Sequence, residues 1–261
     1  MPRLARLDTP GVLNHIIIRG IERRKIFKDN KDKDNFLDRL DTLLPEIKTF
    51  CYAWALLSNH AHFLFRTGDT PLSTLMRRLL TGYAVSFNRR HKRHGQLFQN
   101  RYKSIICQED AYLKELVRYI HLNPLRAKIV SDISGLNTYA YCGHSVIIDK
   151  KERPWQDIGY ALSYFGNSLR EARKRYLQYV ESGIEQGRRP ERGSLRVAGK
   201  TADYYRMVSG SVGFTAGIEK YEMVIIFMTD ESLKNFQDSK GWEAGVDASV
   251  RGAKFTKFKP E

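Results

Sequence analysis

The chain has 261 residues, 42% of them hydrophobic, enough for one well-cored domain with an appendage and too many for wholesale disorder. Forty-four Lys and Arg against 29 Asp and Glu give a net charge of +15. Residues 197–261 hold nine basic and nine acidic side chains, so the whole excess lies in residues 1–196. That points to a polyanionic partner of this part, nucleic acid first, with general solubility as the plain alternative.

In chain order, residues 13–19 (LNHIIIR) read as a first strand, with three β-branched residues in a row and Gly20 after them. Residues 31–47 place Phe36, Leu40, Leu43 and Leu44 on one helical face. Two apolar runs, residues 50–57 and 61–66, are separated by Ser58-Asn59, which is a hairpin signal. Residues 71–93 predict a basic helix and residues 102–108 a fourth strand. Asp110 is the expected N-cap of a further helix whose apolar stripe is Leu113, Leu116, Val117 and Ile120. The order strand, helix, strand, strand, helix, strand, helix predicts an α+β fold: a ferredoxin-like antiparallel sheet backed by helices. This first domain spans residues 1–150. A helical extension (151–186), a turn-rich charged linker (187–196) and a small β-rich C-terminal segment (197–261) with a strand at 222–229 follow.

The three cysteines (Cys51, Cys107 and Cys142) are far apart and odd in number, which argues against a disulfide framework or a zinc knuckle. The longest apolar run, residues 50–57, is strand-sized, far short of the roughly 20 residues of a membrane helix. With no apolar signal core at the N-terminus, a cytoplasmic protein with no membrane partner is the expectation.

The hairpin's second strand carries His60-Ala61-His62. Strand residues i and i+2 face the same way, so both imidazoles project from one face while Ala61, Phe63 and Phe65 point to the other. Such a pair can chelate a divalent ion, although a half-exposed polar strand face gives the same spacing. On the helix after Asp110, Tyr119 and Asn123 lie one turn apart. Asn123 can supply a neutral oxygen to complete a three-ligand site, or act as helix punctuation before Pro124; Tyr119 can equally be a packing residue with a wet hydroxyl. His121 is the rival ligand, but it points about 200° away from Tyr119, which favours Asn123. His15 is expected close to the pair in a packed or supporting role. His91, His94 and His144 lie in polar sequence and receive no chemistry.

Between the pair and Tyr119 run Arg77, Arg78, Arg89, Arg90, Lys92, Arg93, Arg101 and Lys103, candidates for phosphate contacts or a solvated basic face. Tyr83, Phe87 and Phe98 lie among them and can either stack on unpaired bases or pack in the core.

Five stretches, His15-Ile-Ile-Ile-Arg-Gly20 with Arg23-Arg24 and Ile26-Phe27, Asn59-His-Ala-His-Phe63, Gly95-Gln-Leu-Phe-Gln-Asn-Arg-Tyr-Lys103, Tyr119-Ile-His-Leu-Asn-Pro124 and Cys142-Gly-His-Ser145, carry a resemblance. Together, over residues 12–185, they resemble the REP-associated and insertion-sequence branches of the single-tyrosine HUH transposases. Ser58 departs from the proline that many relatives carry before Asn-His. The resemblance implies a DNA transposase that cuts single-stranded, hairpin-associated DNA. Mg²⁺ or Mn²⁺ would be held by His60, His62 and Asn123, and Tyr119 would form a 5′-phosphotyrosine and free a 3′-hydroxyl. Some relatives are dimers that assemble each site from two chains, so monomer and homodimer both stay open. The alternatives are a catalytically silent hairpin-DNA-binding regulator and a lipid-interaction protein acting through the C-terminal segment.

Four stretches near the end, residues 201–205, 210–217, 227–229 and 239–250, resemble part of a SYLF-type lipid-binding domain. The similarity covers residues 197–261 and is a piece of such a domain, as a fusion left by a mobile element would produce. An unrelated β-rich appendage is the alternative. About 65 residues without staples make a marginally stable unit, and its neutral charge gives no support for binding anionic lipid.

Overall fold

The computed structural model describes residues 10–107, 109–184, 204–211, 217–223 and 254–258. The chain divides into two compact units, one of residues 8–188 and the other of residues 1–7 with 189–261.

In the first unit, β1 (Leu13–Arg19) leads through a short 3-10 turn (Ile21–Arg23) to α1 (Asn30–Ile47). The hairpin β2 (Phe50–Leu56) and β3 (His60–Arg66) comes next, then α2 (Leu72–Arg90), β4 (Lys103–Ile106) and α3 (Glu109–His121). The strands form one antiparallel sheet in the order β2-β3-β1-β4, which together with this element order is the expected ferredoxin-like α+β arrangement.

Local chemistry sets the element ends. Asp29 caps α1 by accepting the Asp32 amide at 3.0 Å, and Lys48 closes it in a left-handed conformation with φ 54°. The turn between β2 and β3 is pinned from outside: the Ser58 carbonyl accepts the Ile26 and Phe27 amides at 2.8 and 3.0 Å. Three elements depart from their expected bounds. The fourth strand shortens to Lys103–Ile106, and Asp110 lies inside α3, not at its cap. The basic helix stops at Arg90, where His91 leaves the helical region and Lys92 turns to φ 49°.

Register divides the sheet into two chemically different faces. Ile16 lies opposite Phe63 and Ile18 opposite Ala61, and this face is buried under α1 and α2. Phe36 of α1 stacks on Phe63 at 5.9 Å and meets Tyr83 of α2 edge-on at 5.0 Å. On the other face Ile17 lies opposite His62 and His15 opposite Leu64. Here α3 packs against the hairpin, burying the predicted stripe of Leu113, Leu116, Val117 and Ile120.

After α3 come α4 (Asn123–Arg126), α5 (Ile133–Thr138), α6 (Gly143–Ile147), α7 (Ile158–Ser163) and α8 (Leu169–Glu181). This part is joined to the sheet within the same compact unit. Leu56 donates its amide to the Tyr141 carbonyl at 2.9 Å and Asp157 donates to the Cys51 carbonyl at 2.9 Å, so the outer edge of β2 is partly covered. Trp54 donates its indole N–H to Gln156 Oε1 at 2.8 Å, and Trp155 packs on Trp54 at 5.2 Å.

In the second unit, β5 (Tyr204–Ser211) pairs antiparallel with both β6 (Gly217–Met223) and β7 (Lys254–Phe258). The expected strand at 222–229 meets β6 only at Glu222 and Met223; its remainder lies outside the described residues. Among the described residues, no helix is long and apolar enough to cross a membrane.

Candidate active site

Three elements bring four side chains together on the α3 face of the sheet. β3 alternation puts His60 and His62 on one side, with ring centroids 5.2 Å apart and planes at 77°. β1 adds His15, whose ring stacks on His62 at 5.3 Å and whose Nε2 lies 3.0 Å from His62 Nδ1. From above, α3 lowers Tyr119 edge-on to both, 5.8 Å from the His62 ring and 5.9 Å from the His15 ring. His62 is buried, while His60 and Tyr119 are half-buried at the rim.

Burial controls the charge state. Desolvation, with the Lys103 cation added, takes His15 down to about 4, and desolvation together with neighbouring His15 and His60 takes His62 well below the ordinary histidine range. Both are neutral at pH 7 and offer a lone pair. His62 Nε2 is buried and has no hydrogen-bond partner among the described residues. A buried polar nitrogen without a partner is costly, and a divalent cation on its lone pair removes that cost, so the pair fits a metal. No third His, Cys, Asp or Glu joins it in a metal-binding group among the described residues. Among the described residues, a further protein ligand would then be an oxygen of another kind, such as a side-chain amide.

Asn123 is the expected source of that oxygen, and the structure gives it a second duty. α3 ends at His121 and Asn123 opens α4. Pro124 has no N–H to offer the Ile120 carbonyl, and Asn123 Nδ2 supplies the missing donor at 3.3 Å while also bonding the Tyr119 carbonyl at 3.0 Å. Commitment of Nδ2 leaves Oδ1 as the donor atom for a ligand role. His121 turns away as expected: it is fully buried, with Nδ1 2.7 Å from the Tyr176 hydroxyl. His144 is not in a polar setting but buried beside it, bonded to the same hydroxyl at 2.7 Å and to Asn137 at 2.7 Å.

The basic candidates differ in exposure and in the contacts they make. Arg77, Arg89, Lys92, Arg101 and Lys103 are exposed. Arg78 forms a two-pronged pair with Glu46, at 2.5 and 2.8 Å. Arg90 pairs with Asp29 at 2.6 Å and with Asp32, its hydrogen bonds holding the Asp29 carboxyl down at about 2; His91 also bonds Asp32, at 2.9 Å. Arg93 bonds Asn88 at 3.0 Å and the carbonyls of Gly95 and Gln96, so it braces the loop after α2. Of the aromatics considered for base stacking, Tyr83 and Phe87 are buried in the core and Phe98 packs against it.

One neighbour of Tyr119 escaped the sequence reading. Arg126 lies with its guanidinium carbon 5.6 Å from the centre of the Tyr119 ring. Its signal was helical spacing: seven residues, two turns, past Tyr119 and three past Asn123.

Residues 10–123 match a family model described as "Transposase IS200 like", and residues 208–257 match one described as "Las17-binding protein actin regulator". No curated protein matches the chain. Among solved structures, the chain is similar to one described as "Structure of the REP associates tyrosine transposase bound to a REP hairpin". Identity is 14%, 65% of this chain and 93% of that chain are covered, and the TM-score is 0.46. It is also similar to tRNA(His) guanylyltransferase from Saccharomyces cerevisiae, at 14% identity over 76% of this chain and 91% of that chain, with a TM-score of 0.33. Residues 10–123, which hold His15, His60, His62 and Tyr119 and end at Asn123, are the part of the chain that matches the IS200-like transposase model.

Proposed function

We propose that this protein is a cytoplasmic DNA strand transferase that cuts single-stranded, hairpin-associated DNA with Tyr119 and rejoins it to a new end. The observation that carries this reading is the placement of a tyrosine hydroxyl-bearing ring against two strand-borne histidines, one with an orphaned buried nitrogen. Tyr119 Oη forms an ester with the scissile phosphorus while the bond to the 3′ oxygen breaks, and the phenolic proton ends on that oxygen. The product is a 5′-phosphotyrosine with a free 3′-hydroxyl. Because the phosphodiester energy is kept in the ester, a second 3′-hydroxyl can reverse the step and join the strands.

His60, His62 and Asn123 Oδ1 would hold Mg²⁺ or Mn²⁺, which supplies Lewis-acid charge to the phosphoryl oxygens. His15 braces His62, and α3 holds Tyr119 against both of these rings. Exposed Arg77, Arg89, Lys92, Arg101 and Lys103 would carry DNA phosphates, with affinity that falls as salt rises. Tyr119 sits against His62 of its own chain, which supports a site completed in cis.

The test is covalent capture on labelled single-stranded DNA with a hairpin, in Mn²⁺ or Mg²⁺. The expected result is a denaturant-resistant adduct that needs the metal and drops at least 100-fold in Tyr119→Phe and His60→Ala. An adduct that persists in Tyr119→Phe overturns the assignment of the nucleophile. DNA binding with no adduct over many hairpins makes the protein a regulator instead.

A further inference from the structure

The hydrogen bonds behind the histidine pair define which ring nitrogens face the site. His60 Nδ1 lies 2.6 Å from Asn59 Oδ1. Asn59 is itself oriented, because its Nδ2 donates to the Arg23 carbonyl at 3.1 Å. That bond assigns the amide: nitrogen toward Arg23, oxygen toward His60. An amide oxygen only accepts, so His60 must donate Nδ1–H, and in a neutral imidazole the lone pair then sits on Nε2.

The Arg23 carbonyl is presented by an unusual backbone. Glu22 and Arg23 both have left-handed φ, 52° and 59°, a conformation that non-glycine residues adopt rarely and that has to be held in place by the surrounding structure. It is held by Gly20, whose amide donates to the Asn59 carbonyl at 2.9 Å, and by Ile21, which donates to the Leu97 carbonyl at 3.0 Å. The turn after β1 is therefore tied to the residue before His60 twice, once through backbone and once through the Asn59 side chain.

His62 is built the same way from the other side. Its Nδ1 meets His15 Nε2 at 3.0 Å, and its Nε2 is the buried nitrogen without a hydrogen-bond partner. If His62 Nε2 carried the proton, a buried N–H would be orphaned, the rarer and costlier arrangement; so the proton belongs on Nδ1, donated to His15.

We infer that Asn59 is a positioning residue that, with His15, locks both histidines as Nδ1–H tautomers and so presents two Nε2 lone pairs as the metal-binding face of the site. The inference rests on the metal reading above for its purpose but not for its first test. An acceptor that takes the N–H opposite the metal-binding nitrogen fixes the tautomer and orientation of a histidine ligand, and loss of such a partner weakens metal binding about 10- to 100-fold.

The first measurement is long-range ¹H–¹⁵N NMR of the full chain with ¹⁵N-labelled histidine, without metal. His60 and His62 are expected as Nδ1–H tautomers, and an Nε2–H tautomer at either overturns the inference whatever the metal does. Asn59→Ala should abolish the Nδ1–H preference of His60 and leave His62 unchanged. The second measurement is Mn²⁺ binding by titration calorimetry. Asn59→Ala should weaken it 10- to 100-fold, while Asn59→Asp, which keeps an acceptor for His60, should stay within about threefold of wild type. Equal weakening in Asn59→Asp and Asn59→Ala overturns the orienting role in favour of a merely structural one. Wild-type chain that shows both Nδ1–H tautomers and binds no Mn²⁺ overturns the metal reading, leaving the tautomer assignment standing.

Discussion

At the residue scale, the site sets buried, neutral His15 and His62 on the same face as a guanidinium from α4. Arg126 stands beside the Tyr119 ring, where a guanidinium attracts an incoming phosphate and stabilises charge that grows on it. Arg126→Gln should slow single-turnover adduct formation roughly 10- to 100-fold, with Arg126→Lys recovering part of the loss. A rate unchanged in Arg126→Gln would assign this cation to packing alone. Strand alternation made the shared face of His60 and His62 legible; helical periodicity placed Tyr119 only with Asn123, and the resemblance alone joined it to the pair. Arg126 was legible only in principle, since nothing in a spacing of seven says that α4 continues the line of α3 after Pro124. The duty of Asn123 as a donor to the Ile120 carbonyl was likewise hidden, because it depends on where the helix breaks.

At the element scale, the turn after β1 is the tightest junction near the site. A methyl group on Gly20 would lie 2.0 Å from the Arg24 carbonyl oxygen and 2.9 Å from Ile26 Cγ2. Backbone cannot yield there without moving the Asn59 tie. Gly20→Ala should therefore cost about 2 kcal/mol or more, read as a lower urea midpoint, and should also weaken adduct formation. Strand and helix existence followed from apolar period, and β1 and α1 came out within a residue of expectation. The ends that moved, at β4, α2 and α3, are set by loop and cap contacts, which carry no period to read.

At the scale of the whole molecule, one prediction follows from the proposed cis arrangement and another from burial. Mixing Tyr119→Phe protein with His60→Ala protein should restore no adduct if the site works in cis; recovery toward half of the wild-type level would show exchange between chains. The second concerns acid. Burial takes His144 down to about 4. Its folded value is depressed, so unfolded chain binds more protons below the ordinary value of 6.5, and its contribution is present above that pH. The contribution is lost as pH falls from 6.5 toward 4, amounting to about 3 kcal/mol. The urea midpoint should fall across that window, and His144→Gln should flatten the slope.

Strand alternation, helical period and the order of elements are local properties, so the sequence by itself determined the α+β fold, the shared face of His60 and His62 and the stripe that seats α3. Lateral pairing and packing are not local. Only the tertiary structure decided which nitrogens of His15 and His62 meet, that Asn59 is held by the turn at Arg23, and that Arg78 and Arg90 meet acidic partners from α1 and its cap. It also decided that α8 buries Tyr176 between His121 and His144. The reason is physical: hydrogen-bond partners far apart in sequence are chosen by which surfaces the core brings together, and that choice has no period to read.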